Sequence, residues 1–484
     1  MRQALIRYKF ELLLGLFIAL FIGWFSFFTI FRYQSLHASY YDLGIMDQTV
    51  YNTSRGRILE LTSPTSFETI KRMAIHNDIL LAALAPFYWL HKGPETLLIV
   101  QTVTIALGAV FLYLLTRSIL HSPSSALIFS FSYLMYPPLQ WATTYDFHAV
   151  SLVSTFFLAF LYFLRRRNYL VSLIIFLLCL AAKEQVALVT VFLGIFMVVR
   201  PNYFLEKAEA IQSIKKIGVT VVTVSIAWFV ASIWYIIPLF RQADHFALAR
   251  YSQFGDSPQS VIIGIIKNPL KLITLLWNSS TIDYLSALFG PFLFISLFSP
   301  LILIVLPEFA VNLLSNNPNM RDIIFHYTAV ITPFVFFSAI FGYLYITKKA
   351  MIKAKYLNIV LIIVTLTFSY FLSPLPYSRH FDKRIFSNVV PEISAINEWQ
   401  EKLRDENISV SASDRVATKF AERKTIIRFS SNYKKAEYVI LLKKDVLSDW
   451  YDQNASKIAY YQLLNDKNFT LLFNEGDFYV YRRR

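Results

Sequence analysis

The 484-residue chain is 56% hydrophobic and only 16% charged, against about 25% charged in a typical soluble domain, and its mean hydropathy is +0.48. That surplus exceeds what one aqueous core can hide and calls for lipid as a second solvent. The net charge of +15 does not indicate a nucleic-acid partner: no zinc-ligand spacing, recognition-helix pattern or basic stripe accompanies it, and much of the excess base sits in short clusters between apolar runs, where it sets membrane topology.

The N-terminal stretch Met1–Lys9 is basic and runs into an apolar segment reaching about Phe31 with no small-residue cleavage motif. It reads as a retained first helix. Apolar segments then predict helices near 10–32, 95–118, 124–142, 149–164, 169–182, 185–199, 217–240, 283–299, 301–314, 327–346 and 357–373, about eleven in all. Several fall short of the roughly 20 residues a perpendicular span needs, so 169–182 with 185–199, and 283–299 with 301–314, read as short hairpins or partly re-entrant pairs. The single cysteine, Cys179, lies in one of these runs and allows no intramolecular disulfide.

Basic residues in short loops orient the chain. With Arg2, Arg7 and Lys9 in the cytoplasm, alternation places three further clusters inside as well: Arg165–Arg167; Arg200, Lys207, Lys215 and Lys216; and Lys348, Lys349, Lys353 and Lys355. The loops 33–94, 241–282 and 315–326, the turns 143–148 and 183–184, and everything after about Leu375 then face outward. The 259–277 stretch reads as an interfacial helix, as does the short apolar stretch 78–91.

Beyond Pro374 and Pro376 charges become frequent and mixed. Helices near 392–404, 414–422 and 456–465 alternate with strands at 408–412, 425–429 and 437–442, and a hairpin of 469–474 with 477–482 closes the chain. The fold class is therefore mainly α: a polytopic helical membrane module over 1–375, with a small α/β extracytoplasmic domain over 376–484.

Charged groups in or beside apolar helices are costly unless paired, hydrated or used, and here they gather on the outward side. Asp42 and Asp47 follow the first helix; their spacing suits either a helix cap or a general base or metal ligand. His76, Asn77 and Asp78 precede the apolar stretch to Pro86, as a polar cluster or an N-cap. Asp146 and His148 occupy the next turn, and Lys183 and Glu184 the one after, which as a hairpin tip would neutralise itself. Arg321, Asp322 and His326 form the last group. One shared polar cavity accounts for all of them, with acids for base catalysis or cation binding and Lys, Arg and His for a phosphate.

The segment Tyr41–Gln48, the His76 segment ending at Pro86-Phe87-Tyr88, Asp146-Phe147-His148, Lys183-Glu184, Asn312–Ser315 with His326-Tyr327, and the end Glu475–Arg482 resemble a prokaryotic family of predicted membrane proteins, domain of unknown function 2079. That family in turn looks like a distant branch of the GT-C superfamily, membrane glycosyltransferases that use polyprenyl-phosphate-linked sugars. The resemblance implies an acidic residue in the first outer loop acting as base on the acceptor. The matching position is Asp42, with Asp47 second; the adjacent acidic pair usual in the GT-C enzymes is absent, since five positions separate the two. It also implies membrane lipid and a polyprenyl-phosphate-linked sugar as partners, with magnesium or manganese as the divalent cation to consider.

The leading expectation is therefore inverting glycosyl transfer at the outer face of the cell membrane. Asp42 would be the base, Lys183 with Arg321 or His326 would stabilise the leaving phosphate, and His76, Asp78, Asp146, His148 and Glu184 would shape the pocket. The alternatives are a transporter or flippase of a lipid-linked or anionic substrate, against which the absence of an internal repeat speaks, and a non-catalytic scaffold or sensor.

Overall fold

The computed structural model describes residues 8–205, 208–243, 245–349, 352–387, 389–448 and 453–484; Arg2, Arg7 and Lys207 of the topology-setting clusters lie outside them. The protein is mainly helical. Among the described residues, four helices are long and apolar enough to cross a membrane: Lys9–Gln34, Pro94–Leu120, Ile211–Arg241 and Ala354–Leu372. The other apolar segments are shorter or broken, and the breaks have local causes. The segment expected over 124–142 divides into Pro123–Leu134 and Pro137–Thr144, because Pro137 and Pro138 offer no N–H and push Tyr136 into extended backbone (φ −74°, ψ 115°). The segment expected over 283–299 is helical only as Ser279–Phe289. Gly290-Pro291 ends the helix, Leu293 and Phe294 both turn left-handed at φ 54°, and tighter turns follow up to Leu306.

The bundle has two chemically distinct ends. At one, Arg165 donates to the carbonyls of Tyr203 and Leu205 at 3.2 and 3.0 Å, and Arg117 pairs with Glu11 at 2.7 Å. The other carries the first long loop, 35–93, and the mixed polar groups. The 259–277 stretch is two helices, Pro258–Lys267 and Pro269–Leu276, bent by 85° where Pro269 interrupts the ladder. Ile266, Leu270, Ile273 and Trp277 are exposed, as expected of an element lying in a membrane surface.

The C-terminal segment forms a five-stranded mixed sheet in the order β4-β3-β5-β7-β6, where β3 is Val410–Ala412, β4 Ile426–Arg428, β5 Tyr438–Leu442, β6 Phe469–Glu475 and β7 Phe478–Arg483. β3 is parallel to β4 and β5, and the closing hairpin is antiparallel, turning through Gly476 at φ +55°. The helix Gln453–Leu464 covers one face. On the other face, Val410, Ile426 and Ile440 share one continuous apolar cluster with the membrane module.

A short hairpin in the first loop, β1 Glu60–Thr62 with β2 Thr69–Lys71, docks this sheet. Ile426 N donates to Thr62 Oγ1 at 3.1 Å, Gln48 Nε2 to the Arg423 carbonyl at 3.0 Å, and Tyr40 Oη to the Ile426 carbonyl at 2.9 Å. Glu406 accepts a fork from Arg57 (3.1 and 3.1 Å) and the Tyr51 hydroxyl at 2.7 Å. The Arg57 fork, outweighing burial and helped by Tyr51 and Arg55, holds the Glu406 carboxyl down to about 2. A carboxyl depressed by folding stabilises fully above its unfolded pKa and loses that stabilisation as pH falls through the folded one. Acid should thus loosen this docking between about pH 4.5 and 2, and Glu406→Gln should flatten that part of an acid-denaturation curve followed by proteolysis of the C-terminal unit. An unchanged curve would remove Glu406 from the docking.

Candidate active site

Asp42 sits in a π-helical turn, Tyr40–Gly44, capped by the Ser39 side chain, which accepts from Tyr41 N. Such turns are a minority conformation that recurs at functional sites. Gly44 permits it: a Cβ there would stand 2.5 Å from the Tyr40 ring. The Asp42 carboxylate accepts from the Tyr145 hydroxyl at 2.8 Å and faces His148 Nε2 at 3.4 Å. His148 Nδ1 donates to the Asp146 carbonyl at 2.9 Å, so Asp42 Oδ1 and Nε2 share one place for a proton. Burial acts to raise the Asp42 carboxyl, but His148, Tyr145 and Arg32 together hold it below the ordinary value. The His148 ring stacks on His326 at 3.7 Å. Burial, and then His148, push His326 well below the usual imidazole range, which keeps it neutral with a buried, unpartnered Nδ1.

Asp146 stands behind this group. Its carboxylate accepts from Ser39 N at 2.9 Å and pairs with Arg32 at 3.5 Å, so it fixes the start of the Asp42 turn. The sheet contributes from the other side, where Arg428 lies over the Tyr41 ring at 4.3 Å.

Asp42, His148 and His326 line a cavity of about 810 Å³, and so do His76, Asp78 and Lys183. The sequence thus brings six of its candidates to one place. Lys183 is buried, and among the described residues no hydrogen bond or ion pair holds its ammonium. Glu184 makes no hydrogen bond to it, although its charge is the strongest acting on the ammonium. That carboxylate accepts instead from His76 Nδ1 (2.8 Å), Asn77 N (2.9 Å) and His245 Nε2 (3.1 Å), so the expected Lys183–Glu184 pair is not a direct contact. Asp78 is committed as well: Arg72 grips it through Nε at 2.9 Å and Nη2 at 2.7 Å, with both residues buried. Arg72 Nη1 is buried without a partner on the same cavity.

Two candidates lie elsewhere. Arg321 is not on the cavity wall, and Arg250 of the turn Phe246–Tyr251 takes the expected place. Asp47 opens on a different cavity, because the five-residue step from Asp42 carries it to another side of the chain. Sequence reasoning passed over Arg72, Tyr145, His245 and Arg250. Arg250 and His245 sit in a long loop without periodicity, where only their density with Arg241 gave a signal.

Magnesium or manganese would require converging oxygen ligands. Among the described residues the one group that closes around a point is His76, Glu184 and His245, whose ligand atoms lie within 4.8 Å of one another. Two imidazoles and a carboxylate suit a zinc-like ion better. In this arrangement, however, Ala247 N donates to His245 Nδ1 at 3.0 Å, which leaves the proton on Nε2 and the trio satisfied by hydrogen bonds. The residues therefore do not fit the expected ion, and no chemical step needs it.

A family described as predicted membrane protein (DUF2079) matches residues 32–475. The chain belongs to this family. No curated protein matches the sequence. Among solved structures, ArnT from Cupriavidus metallidurans bound to undecaprenyl phosphate is similar to this DUF2079 protein over 96% of the chain and 97% of its own length, with a TM-score of 0.51 at 11% identity. The Archaeoglobus fulgidus oligosaccharyltransferase complexed with zinc and sulfate aligns over 86% of this chain at 10% identity and a TM-score of 0.43; the chain spans 66% of that enzyme's length. AglB from the same organism, solved with an inhibitory peptide and a dolichol-phosphate, aligns over 99% of this chain and 75% of its own at 11% identity and a TM-score of 0.43. The likeness to ArnT establishes a GT-C-like fold for this DUF2079 protein, as the sequence resemblance implied.

Proposed function

We propose that this protein transfers a glycosyl group from a polyprenyl-phosphate-linked donor to an acceptor hydroxyl at the outer membrane face. The observation that carries this is a single cavity holding a hydrogen-bonded carboxylate, Asp42, together with the cations Arg72, Lys183 and Arg250. Asp42 removes the acceptor proton and shares it with His148 Nε2. The acceptor oxygen forms its bond to the anomeric carbon from the face opposite the donor phosphate. The bond from that carbon to the phosphate oxygen breaks, and its electron pair leaves on the lipid phosphate. Positive groups fixed in advance stabilise that developing charge; Lys183 and the unpartnered Nη1 of Arg72 supply donors, and Arg250 adds charge on the same wall. Phe240 and Phe246 line the same cavity, giving an isoprenoid tail an apolar side to follow. Similarity to a structure holding undecaprenyl phosphate supports this donor class, and the bend at Asn268-Pro269 beside the bundle supports access from lipid.

The experiment is incubation of the purified protein with a radiolabelled polyprenyl-phosphate sugar and candidate acceptors. Label moved to an acceptor supports transfer. Vesicle uptake of the intact donor without transfer would favour the flippase reading instead. The pH profile carries a further expectation. Tyr145 and His148 lower the Asp42 pKa, so Tyr145→Phe and His148→Asn should each raise it. The acid limb of kcat/KM, where Asp42 becomes protonated and inactive, should then move to higher pH. A limb that stays in place would separate Asp42 from the rate.

A further inference from the structure

We propose that the second cavity, between the first loop and the C-terminal sheet, binds a small zwitterion with its ammonium group at the floor and an anionic phosphate at the mouth. The cavity is about 350 Å³, near the lower end of small-molecule sites, and the site is independent of the glycosyl-transfer reading. Asp47 and Tyr51 of the helix Ile45–Ser54, and Arg55 that caps its C-terminal end, line it at intervals of four residues, as one helix face requires. Ile45 and Met46 line the Asp42 cavity, so a single helix serves both.

The floor is acidic and incompletely paired. Asp47 is fully buried. One carboxylate oxygen accepts from the Tyr88 hydroxyl at 2.5 Å, and Oδ2 is buried with no hydrogen-bond partner. Glu422 Oε1 is buried without a partner too, and among the described residues neither carboxylate forms an ion pair. Two buried cations also line the cavity, and among the described residues neither belongs to an ion pair: Lys419 stands over the Tyr33 ring at 4.3 Å, and Arg423 spends its guanidinium on the carbonyls of Phe420, Ile408 and Leu403. Burial drives both carboxyls upward, Glu422 to about 7, so the floor tends to hold protons that an arriving ammonium would replace. The mouth is mainly basic: Arg55, Lys92 and Arg404 are exposed on it together with Glu401. Arg404 pairs with Glu401 at 3.5 Å and Arg55 with Glu406 at 3.9 Å, which leaves Lys92 as the rim cation outside any ion pair among the described residues.

This order of charges selects the ligand. An anion meets carboxylates at the floor. A bare divalent cation needs converging ligand atoms, and among the described residues only the His76 group shows that convergence. An ammonium carries three N–H donors, enough for Asp47 Oδ2 and Glu422 Oε1, while a phosphate three or four atoms away reaches the guanidinium and ammonium groups at the mouth. Phosphoethanolamine has this layout. It occurs free and as a lipid headgroup, and the element leading into the mouth carries Trp89 and Leu90, 73% and 86% exposed, well placed for a membrane surface.

The test uses the full chain in nanodiscs of pure phosphatidylcholine, titrated calorimetrically with O-phosphoethanolamine. Saturable binding is expected, with ethanolamine alone and inorganic phosphate each at least about tenfold weaker. Asp47→Asn should weaken binding at least about tenfold. Lys92→Glu, on the exposed rim where folding is not at stake, should do the same. Nanodiscs containing phosphatidylethanolamine distinguish the sources: competition that removes the calorimetric signal identifies the headgroup as ligand, and an undiminished signal identifies the free zwitterion. No binding of O-phosphoethanolamine in phosphatidylcholine, or binding unchanged in Lys92→Glu, overturns the proposal.

Discussion

Asp42→Asn should reduce transfer by about 10²- to 10⁴-fold, the range that a positioned general base contributes, while the protein still folds and still binds its donor. The substitution keeps the size of the side chain and can keep the hydrogen bond from the Tyr145 hydroxyl (2.8 Å in the wild type), so the turn at Tyr40–Gly44 has no reason to move. What it removes is the negative charge that draws a proton from the acceptor. Lys183, Arg72 and Arg250, which line the same cavity and are proposed to meet the phosphate, are untouched, so the loss should fall on kcat, with the donor KM changed little. Asp47→Asn is the matched comparison: it alters a carboxylate only five positions away, but one opening on the other cavity, and transfer should stay within about threefold. The opposite pattern, with Asp42→Asn active and Asp47→Asn dead, would move the base to Asp47.

That contrast marks the boundary of what the sequence makes legible. Hydropathy locates the apolar segments because burial in lipid acts on every residue of a span at once, and alternation locates β3 to β7 to within two residues for the same cumulative reason. The polar cluster is also visible: Asp42, His76, Asp78, Asp146, His148, Lys183, Glu184 and His326 are expensive in place, and the structure gathers them at one end. Their individual partners are not visible, since each partnership is a single long-range contact. Glu184 could have met Lys183 beside it; it meets His76 and His245, over a hundred and about sixty positions away in sequence. Asp42 and Asp47 look like one acidic pair in sequence, yet five residues on a 3.6-residue turn stand about 140° apart, and the π-helical turn resets the angle again. The breaks at Pro137 and Gly290 are written in the sequence by Pro and Gly, but a hydropathy window averages over them.

Asp78→Ala should lower stability by about 3–5 kcal/mol, the cost of leaving one partner of a buried ion pair uncompensated. Arg72 and Asp78 are both nearly inaccessible, and two of the three guanidinium nitrogens are spent on this carboxylate. Without it, Arg72 keeps its charge, has no counter-ion and lies under the first loop beside the cavity. A thermal melt in detergent should show the loss directly. The double variant Arg72→Met/Asp78→Leu removes both charges and fills the space with apolar atoms, which for such pairs is often neutral or stabilising, so its melting temperature should return most of the way. Activity should not return with it. Arg72 Nη1 is buried without a hydrogen-bond partner on the cavity wall, and on the proposed reading losing it should raise the donor KM even in the restabilised protein. The two readouts therefore separate two roles where the sequence pointed only to Asp78: Asp78 would hold Arg72, and Arg72 would meet the substrate. An Asp78→Ala protein with an unchanged melting temperature and a raised KM would reverse that assignment and make Asp78 itself a substrate ligand.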